Sequence, residues 1–320
     1  MGFIYSQLFV RPAYPERSFA GETVIITGSN VGLGKEAARH VARLGVSKLI
    51  LAVRNTIAGE DAKKEIESSL KCDPSVIEVW SLDLSSYDSV KAFAERASKL
   101  QRIDVLLENA GIATDKYSDA EGHERTITVN VISAFLLALL LLPKLKSTAK
   151  QFNTSPRLTI VSSEVHGWCK FAEWKEPTGK IFPALSNEKT ANMGERYPVS
   201  KLLEVLAVKQ IAPKLANSGV ILNILNPGLC HSELGRDGPW FLTILKFFLA
   251  RTTEVGSRTL VASAAAGTES HGKYMHDGLV AEGELSPFVR SKDGEEASQK
   301  VWKELSDILE KVSPGVTQNI

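Results

Sequence analysis

Tyr197 and Lys201 stand four residues apart in the stretch ERYPVSKLLE. Residues at this spacing share one face of a helix, so a phenol and an ammonium group would lie side by side. The pKa of a free tyrosine is about 10, and lowering it to neutrality takes about 4 kcal/mol. A unit charge about 4 Å away supplies a similar amount at an effective dielectric constant of about 20. The spacing therefore predicts that Lys201 lowers the pKa of Tyr197 enough for proton transfer, against the alternative of an ordinary exposed helix face.

A glycine-rich turn follows the first apolar run of the chain. TVIIT (Thr23 to Thr27) leads directly into TGSNVGLG, which ends at Gly34. The run is typical of a buried parallel strand, and GKEAARHVARLG predicts a helix that ends at Gly45. Glycine allows close approach of the backbone to a ligand, and a helix N-terminus offers free N–H groups to a pyrophosphate. In this strand–turn–helix context the turn predicts a dinucleotide site, against the alternative of a merely tight turn.

Strand-like and helix-like segments alternate along the rest of the chain. Five further strands are predicted at KLILAV, VIEVWSLDL, IDVLLENAG, RLTIVSS and GVILNILNPG. Helices are predicted at about 57–70, 86–100 and 129–142, from near Pro198 towards Ala216, and in an amphipathic segment that closes the chain. The alternation predicts an α/β fold: one Rossmann-type, doubly wound parallel sheet with helices on both faces. We expect one domain over 1–320, with substrate-lid segments near 164–196 and 229–251.

The composition excludes several classes of protein. Lys plus Arg is 38 and Asp plus Glu is 37, so the net charge of +1 gives no global attraction for nucleic acid. The three cysteines, Cys72, Cys169 and Cys230, have neither metal-site nor disulfide spacing. We therefore expect no metal and a reducing, cytoplasmic location. The N-terminal residues lack the basic region, apolar core and cleavage site of a secretory signal.

Two apolar runs are long enough to need an explanation. AFLLALLLLP ends at Pro143, and PWFLTILKFFLA is interrupted by Lys246. Both are shorter than the roughly 20 residues of a membrane-spanning helix. The first run predicts a buried helix. The second is either a substrate lid or a segment that rests on a membrane surface.

At these motifs the chain resembles the short-chain dehydrogenase/reductase family. The turn has the spacing Thr-Gly-x-x-x-Gly-x-Gly, and ENAG is similar to the family's Asn-Asn-Ala-Gly, with Glu108 in place of the first Asn. LDL, VNVIS, VSS and NPG follow in the family's order, over about 22–267. The local sequences NVGLGK, VRN and SSEVH are most similar to retinol-dehydrogenase-like members and to fungal secondary-metabolism reductases.

The resemblance implies catalytic roles for Ser163, Tyr197, Lys201 and Asn130. Tyr197 would protonate the developing alkoxide, and Ser163 would hydrogen-bond the carbonyl oxygen. Lys201 would also bind the nicotinamide ribose, and Asn130 would hold a water that links Lys201 to solvent. Alternation along RLTIVSS leaves Ser162 and Ser163 both open as the hydroxyl, and alignment with the family favours Ser163.

The segment between Ser163 and Tyr197 is longer than in most of the family. Its His166 is either a substrate contact, a second proton carrier or a satisfied loop residue. Its aromatic residues either form a substrate wall or anchor a long surface loop; they are Trp168, Phe171, Trp174 and Phe182.

The nicotinamide cofactor is predicted to be NADP(H). An acidic residue after the second strand would bind the ribose 2′-hydroxyl and repel a 2′-phosphate, and this chain has Arg54 there. Arg54 can meet a phosphate with a bidentate fork, unless it is only a solvated charge at a strand end, and Lys35 is a weaker contributor. The predicted cofactor-binding residues are Gly28, Ser29, Asn30, Gly32, Leu33, Gly34, Lys35, Arg54, Asp83, Leu84, Asn109, Ala110, Gly111, Tyr197, Lys201, Pro227, Gly228 and Ser232.

The first functional hypothesis is an NADPH-dependent carbonyl reductase, or in reverse an alcohol dehydrogenase. Its substrate would be a small molecule: a bulky apolar ketone, aldehyde or secondary alcohol. The alternatives are a non-catalytic NADP(H)-binding regulatory protein and an epimerase or dehydratase that uses bound cofactor. The complete set of Ser163, Tyr197 and Lys201 argues against the first alternative, and the glycine spacing against the second. A homo-oligomer and a peripheral membrane contact both stay open.

Overall fold

A mostly parallel sheet runs through the chain, and the computed structural model describes residues 2–231, 234 and 249–320. Within these ranges the sheet has eight strands: β1 (Thr23–Thr27), β2 (Lys48–Val53), β3 (Ile77–Ser81), β4 (Val105–Glu108), β7 (Arg157–Val161), β8 (Ile221–Asn226), β9 (Tyr274–His276) and β10 (Leu279–Val280). Their order in the sheet is β10-β9-β8-β7-β4-β1-β2-β3. All neighbouring pairs are parallel except β9 and β10, which are antiparallel. A separate hairpin pairs β5 (Asp119–Ala120) with β6 (His123–Glu124).

The order of the strands reverses at β1, which pairs with β2 on one side and with β4 on the other. In open parallel sheets of this kind, ligands bind beyond the carboxyl ends of the strands at such a reversal. Thr27 ends β1 and Glu108 ends β4, so the crevice opens between the glycine turn and the ENAG motif.

Both faces of the sheet are covered, because side chains of one strand alternate between two hydrophobic cores. In β1, Ile25 packs in one core and Val24 and Ile26 pack in the other. The continuous apolar runs of the central strands follow from burial on both faces.

The helices follow the predicted alternation. Their bounds are α1 (Phe3–Phe9), α2 (Gly32–Arg43), α3 (Thr56–Leu70), α4 (Tyr87–Ser98), α5 (Arg125–Ile127), α6 (Ser133–Phe152), α7 (Ile181–Leu185), α8 (Met193–Ile211), α9 (Thr253–Ala265) and α10 (Lys292–Val312). Side chains of Asn55, Ser86, Thr252 and Ser291 cap the N-termini of α3, α4, α9 and α10. These residues are the type that satisfies the free N–H groups of a first turn.

The helix predicted to end near Pro143 continues to Phe152, which corrects that boundary. Pro143 lacks the N–H that would bond to the carbonyl of Leu139. The side-chain amide of Asn319 donates to that carbonyl instead, over 3.0 Å. Within the described residues, one helical stretch, 125–152, is long and apolar enough to cross a membrane, and 89% of its apolar window is buried inside the protein. Its apolar character therefore comes from its place in the core.

The helix that carries Tyr197 begins at Met193, one turn before the predicted start near Pro198. Pro198 thus lies inside α8 and removes a hydrogen bond to the carbonyl of Gly194. Gly194 is exposed, so water can donate a hydrogen bond to its carbonyl oxygen, and the helix tolerates the proline. The sequence also gave no sign of β9 and β10, which are only three and two residues long.

The long segment between Ser163 and Tyr197 is anchored to the body of the protein. Phe171 and Phe182 are fully buried, and Trp174 packs against Phe288. The carboxylate of Glu304 on α10 accepts three main-chain N–H bonds from the segment, at 2.7–3.1 Å. These contacts support the anchoring interpretation, and Trp168 alone of the four aromatic residues is largely exposed.

Candidate active site

Tyr197 and Lys201 lie together near the N-terminal end of α8. The Lys201 ammonium is 5.7 Å from the centre of the Tyr197 ring. Lys201 is buried, and its Nζ donates to the carbonyl oxygen of Val161 and to Oε1 of Glu204, both at 2.8 Å. An ammonium has three N–H donors, so one remains for a ligand once these two are counted. The strand end and the acid together fix the position of the lysine.

The two candidate serines have different surroundings. The Ser162 hydroxyl is buried and donates to the carbonyl oxygen of Lys201, over 3.0 Å. The Ser163 hydroxyl accepts from the N–H of Val165 at 3.4 Å, and it lies close enough to the phenol of Tyr197 to stabilise its ionised form. The geometry therefore brings Ser163, and not Ser162, to Tyr197.

The pKa of Tyr197 is raised above its usual value, contrary to the predicted fall to neutrality. Burial is the largest cause, and the negative charge of Glu204 adds to it. The charge of Lys201 and the nearby Ser163 hydroxyl act in the opposite direction. The spacing of Tyr197 and Lys201 accounts for the effect of the ammonium on the tyrosine pKa. It does not account for the desolvation of the phenol or for the acid beside the lysine. In this structure Tyr197 is a proton donor at neutral pH.

Asn130 lies in a π-helical turn, Thr128–Ile132, between α5 and α6. Its Oδ1 accepts from the N–H of Ile112, and its Nδ2 donates to the Ile112 carbonyl and to the Ser200 hydroxyl, each at 2.9 Å. The side chain thus fixes the segment after β4 against α8. Both hydrogens of the Asn130 amide are used, so a water there would have to donate to the main-chain carbonyl of Asn130 or to the second acceptor position of Oδ1.

The glycine turn forms an open cradle at the start of α2. The N-cap residue Val31 makes no side-chain cap, and the first turn holds no acid, so its N–H groups are available to an anion. Gly28 and Gly32 have positive φ angles of 64° and 61°. The side chain of Ser29 points away from this cradle, because its Oγ donates to the carbonyl of Ile26 at 2.8 Å. Asn30 and Leu33 are half-buried around the turn.

The ENAG motif ties β4 to β1. The Asn109 amide donates to the carbonyls of Thr27 and Gly28 at 2.9 and 3.2 Å. The main-chain N–H groups of Asn109 and Ala110 share the Thr27 hydroxyl, at 3.0 and 2.9 Å. Gly111 lies beside the amide of Asn130, where an added Cβ would be 3.2 Å from Oδ1. The motif therefore shapes the crevice through backbone contacts.

The two basic residues predicted to bind a 2′-phosphate differ in availability. Arg54 is exposed directly after β2. Lys35 forms an ion pair with Glu65 of α3, at 2.9 Å. Arg54 is accordingly the cation that can turn towards a ligand without breaking an ion pair.

Asp83 and Leu84, which are both predicted to bind the cofactor, follow β3. One carboxylate oxygen of Asp83 accepts from the N–H and the hydroxyl of Ser85, at 2.9 and 2.7 Å. Leu84 is buried. The other oxygen of Asp83 is available for a ligand donor.

The NPG motif follows β8 and is held by the N-terminal helix. The N–H of Gly228 donates to Asn226 Oδ1 at 2.9 Å, and Pro227 is buried. The amide of Gln7 on α1 bonds to both the N–H and the carbonyl of Leu229, at 3.3 and 2.9 Å. Ser232 and most of the predicted lid at 229–251 lie outside the described residues.

His166 is a satisfied structural residue. Its Nδ1 lies 2.8 Å from the carbonyl oxygen of Ser163, and its Nε2 accepts from the N–H of Ser286 at 3.1 Å. These partners assign the proton to Nδ1. Burial lowers the pKa of His166. The imidazole holds the backbone at Ser163 in place, and it is 2% exposed, so it has no direct access to a substrate.

Two residues that hold the site in place, Glu204 and Gln7, were not predicted from the sequence. Glu204 follows Lys201 by three residues within LLEVLAV, and a single acid in so apolar a run was the available signal. Gln7 carried none, because its partners lie more than 220 residues further along the chain.

Comparisons with known proteins agree with this geometry. The family model described as "short chain dehydrogenase" matches residues 22–163. The short chain dehydrogenase/reductase dmxR8 of Cryptosporiopsis sp. is 53% identical, over 100% of both chains. The short-chain dehydrogenase anuD of Penicillium roqueforti is 46% identical, over 99% of this chain and 84% of its own. A crystal structure of an uncharacterised protein from Mycobacterium paratuberculosis has a TM-score of 0.66 and 27% identity, covering 94% of this chain and 98% of its own.

Proposed function

The chain belongs to the short-chain dehydrogenase family, and from this premise we propose that it is an NADPH-dependent carbonyl reductase. The reverse reaction would make it an alcohol dehydrogenase. Its substrate is a bulky apolar ketone, aldehyde or secondary alcohol of secondary metabolism. The single observation that carries the proposal is the convergence of Ser163 and Lys201 on Tyr197.

The glycine cradle fits a dinucleotide. A Cβ on Gly34 would lie 2.5 Å from both the Asn109 amide nitrogen and the Gly28 carbonyl oxygen. No side chain fits at this position, so the turn can pack closely. The uncapped start of α2 offers N–H groups to the pyrophosphate. Arg54 supports NADP(H) as the preferred form, because it is exposed where a 2′-phosphate would lie.

A nicotinamide, when bound, would supply the hydride for reduction of the carbonyl carbon, or accept it in the reverse reaction. The hydroxyl groups of Ser163 and Tyr197 hydrogen-bond the carbonyl oxygen, where negative charge develops. Tyr197 gives its proton to that oxygen, which becomes the alcohol. Lys201 is fixed by Val161 and Glu204, and its third N–H would bind the nicotinamide ribose.

The raised pKa of Tyr197 favours the direction of reduction. Reduction uses the phenol as an acid, and a tyrosine with a raised pKa is protonated throughout the neutral range. Oxidation would need the phenolate, which is scarce at neutral pH.

Two further features enter the proposal. Trp168 is 56% exposed and stacks edge-on against Phe3, at 5.7 Å between ring centres, so it is the aromatic residue of its segment that is left to contact an apolar substrate.

None of the three cysteines is in a disulfide, which supports a cytoplasmic location.

The proposal is tested by the loss of NADPH absorbance across a panel of bulky ketones and aldehydes. We expect turnover with NADPH that exceeds turnover with NADH. Tyr197→Phe should lower kcat by about 10²- to 10⁴-fold, since it removes the acid. The control is Tyr5→Phe, which changes an exposed phenol on α1.

Equal rates for Tyr197→Phe and the unmodified protein would contradict the mechanism. NADPH binding without turnover of any carbonyl or alcohol would favour the regulatory alternative. Product formation without net cofactor oxidation would favour an epimerase or dehydratase.

A further inference from the structure

Two buried glutamates, Glu108 and Glu204, line the same cavity beside Lys201. Glu108 is the last residue of β4, and Glu204 lies one turn after Lys201 on α8. They are 5% and 2% exposed. The proposed hydride and proton transfer uses neither of them directly.

Both glutamates line one small cavity. Its volume is about 10 Å³, which is the lower limit for one water molecule. The rest of the lining is apolar or uncharged: Thr27, Leu84, Ala110, Asn130, Ala134, Leu137 and Ile160. The two carboxyl groups therefore have a low-dielectric surrounding in common.

The hydrogen bonds of the pair are incomplete within the described structure. Glu204 Oε1 accepts from Lys201, whereas Glu204 Oε2 and both oxygens of Glu108 have no protein partner there. A buried carboxylate without any hydrogen bond is costly, and two carboxylates in one cavity repel each other. A protonated Glu108 removes both costs, because its hydroxyl can donate to Glu204 directly or through one water.

The charges around the pair balance with one proton. On α8, Lys201 and Tyr197 face Glu204, and on β4 the facing group is Glu108. One ammonium, one carboxylate and one carboxylic acid sum to zero. Burial and the charge of Glu204 raise the pKa of Glu108 well above its usual range, and burial raises the pKa of Glu204 to about 7 against the opposing effect of Lys201.

We propose that Glu108 and Glu204 form a proton-sharing carboxyl pair that holds one proton and one water molecule and positions Lys201. Glu204 fixes the ammonium and compensates its charge, which limits how far Lys201 can lower the pKa of Tyr197. The catalytic consequence rests on the proposed function, whereas the shared proton does not.

The shared proton is tested first, by infrared spectroscopy of the purified protein without substrate. A protonated carboxyl group has a carbonyl band distinct from the bands of carboxylates. At neutral pH we expect such a band in the unmodified protein, and its loss in Glu108→Gln. Glu95→Gln is the control, because Glu95 is in an exposed ion pair with Lys99. If the carboxylic acid band were unchanged in Glu108→Gln, the proposal would be overturned.

The same band is followed in the unmodified protein as the pH rises, so that the test does not depend on the folding of a variant. We expect a carboxylic acid band that persists above pH 7, where an ordinary glutamate with a pKa of about 4.3 is fully ionised. Its absence at that pH would overturn the proposal.

The positioning role is tested by the pH profile of carbonyl reduction. Glu204→Gln leaves the ammonium uncompensated, so the pKa of Tyr197 should fall. The alkaline limb of kcat/KM should move down by at least about one pH unit, a tenfold change in the proton affinity of the phenol. Glu108→Gln replaces a neutral acid by a neutral amide and should leave the limb where it is.

A merely structural role for Glu204 would lower the rate at every pH without moving the limb, and that result would contradict the positioning role. An equal displacement in Glu108→Gln would contradict the assignment of the proton to Glu108. If the unmodified protein reduced no carbonyl, the proposed function would fail while the infrared test of the pair would stand.

Discussion

The hydroxyl of Ser162 donates a hydrogen bond to the carbonyl oxygen of Lys201, over 3.0 Å, while the hydroxyl of its neighbour Ser163 acts on the phenol of Tyr197. Adjacent residues at the end of β7 thus face opposite directions, as the alternation of a strand requires. One serine joins the sheet to α8, and the other is the proposed catalytic hydroxyl.

We predict different effects for the two serines. Ser163→Ala should lower kcat by about 10²-fold, because it removes a donor aimed at the developing oxyanion. Ser162→Ala should instead cost about 1 kcal/mol of unfolding free energy, the value of one buried hydrogen bond. Steady-state kinetics and denaturant titrations of both variants check this. The reverse pattern would make Ser162 the catalytic hydroxyl.

Alcohol oxidation should be an alkaline activity. Because the pKa of Tyr197 is raised by burial, the phenolate fraction at neutral pH is small and increases with pH. We expect the oxidation rate to rise about tenfold per pH unit from neutral to alkaline pH, while reduction stays flat through neutrality. Paired pH profiles of kcat/KM measure this. A plateau of oxidation already at neutral pH would contradict the raised pKa.

Arg54 should decide between the two nicotinamide cofactors. Arg54→Ala should raise the KM for NADPH by about 30-fold, since a hydrogen bond to a charged group is worth about 2 kcal/mol. The KM for NADH should change little. Lys35→Ala is the matched control and should have a smaller effect, because Lys35 is paired with Glu65 at 2.9 Å. Equal losses for NADPH and NADH would leave Arg54 without a role in this choice.

Gly34 should not tolerate a side chain. Its added Cβ would lie 2.5 Å from the Gly28 carbonyl oxygen, a main-chain atom that cannot move aside cheaply. Gly34→Ala should cost about 1–3 kcal/mol of stability and weaken cofactor binding. Gly283→Ala is the control, because no heavy atom lies within 4 Å of its added Cβ. Thermal unfolding with and without NADPH measures both, and equal melting temperatures for the two variants would refute the cradle geometry.

His166 should make the folded state less stable in mild acid. Burial lowers the pKa of His166, so the unfolded chain binds a proton more readily than the folded one. The contribution is present above the ordinary histidine pKa of about 6.5 and is lost as the pH falls below it. We expect acidification from about pH 7 to pH 5 to destabilise His166→Gln less than the unmodified protein, as measured by the free energy of unfolding in denaturant. His40 and His123, whose pKa values burial also lowers, act in the same direction. Glu108 and Glu204, whose pKa values burial raises, act in the opposite direction, so the comparison with His166→Gln isolates the contribution of His166. A slope unchanged in His166→Gln would contradict this account.

The sequence by itself determined the central strands, most of the helices and the family. Apolar runs such as TVIIT, the glycine turn and the spacing of Tyr197 and Lys201 are local patterns, and local patterns specify strands, turns and helix faces. The ordered set of short motifs then identified the short-chain dehydrogenase family from positions 22–267.

Only the tertiary structure decided features that depend on distant partners. Pro143 does not end its helix, because Asn319 supplies the donor for the carbonyl that the proline leaves free. His166 is structural because Ser286 completes its hydrogen bonds, and the pKa of Tyr197 rises because folding buries it near Glu204. Desolvation and hydrogen-bond partners come from residues brought together by folding, so spacing along the chain could not give the balance of charge at Lys201.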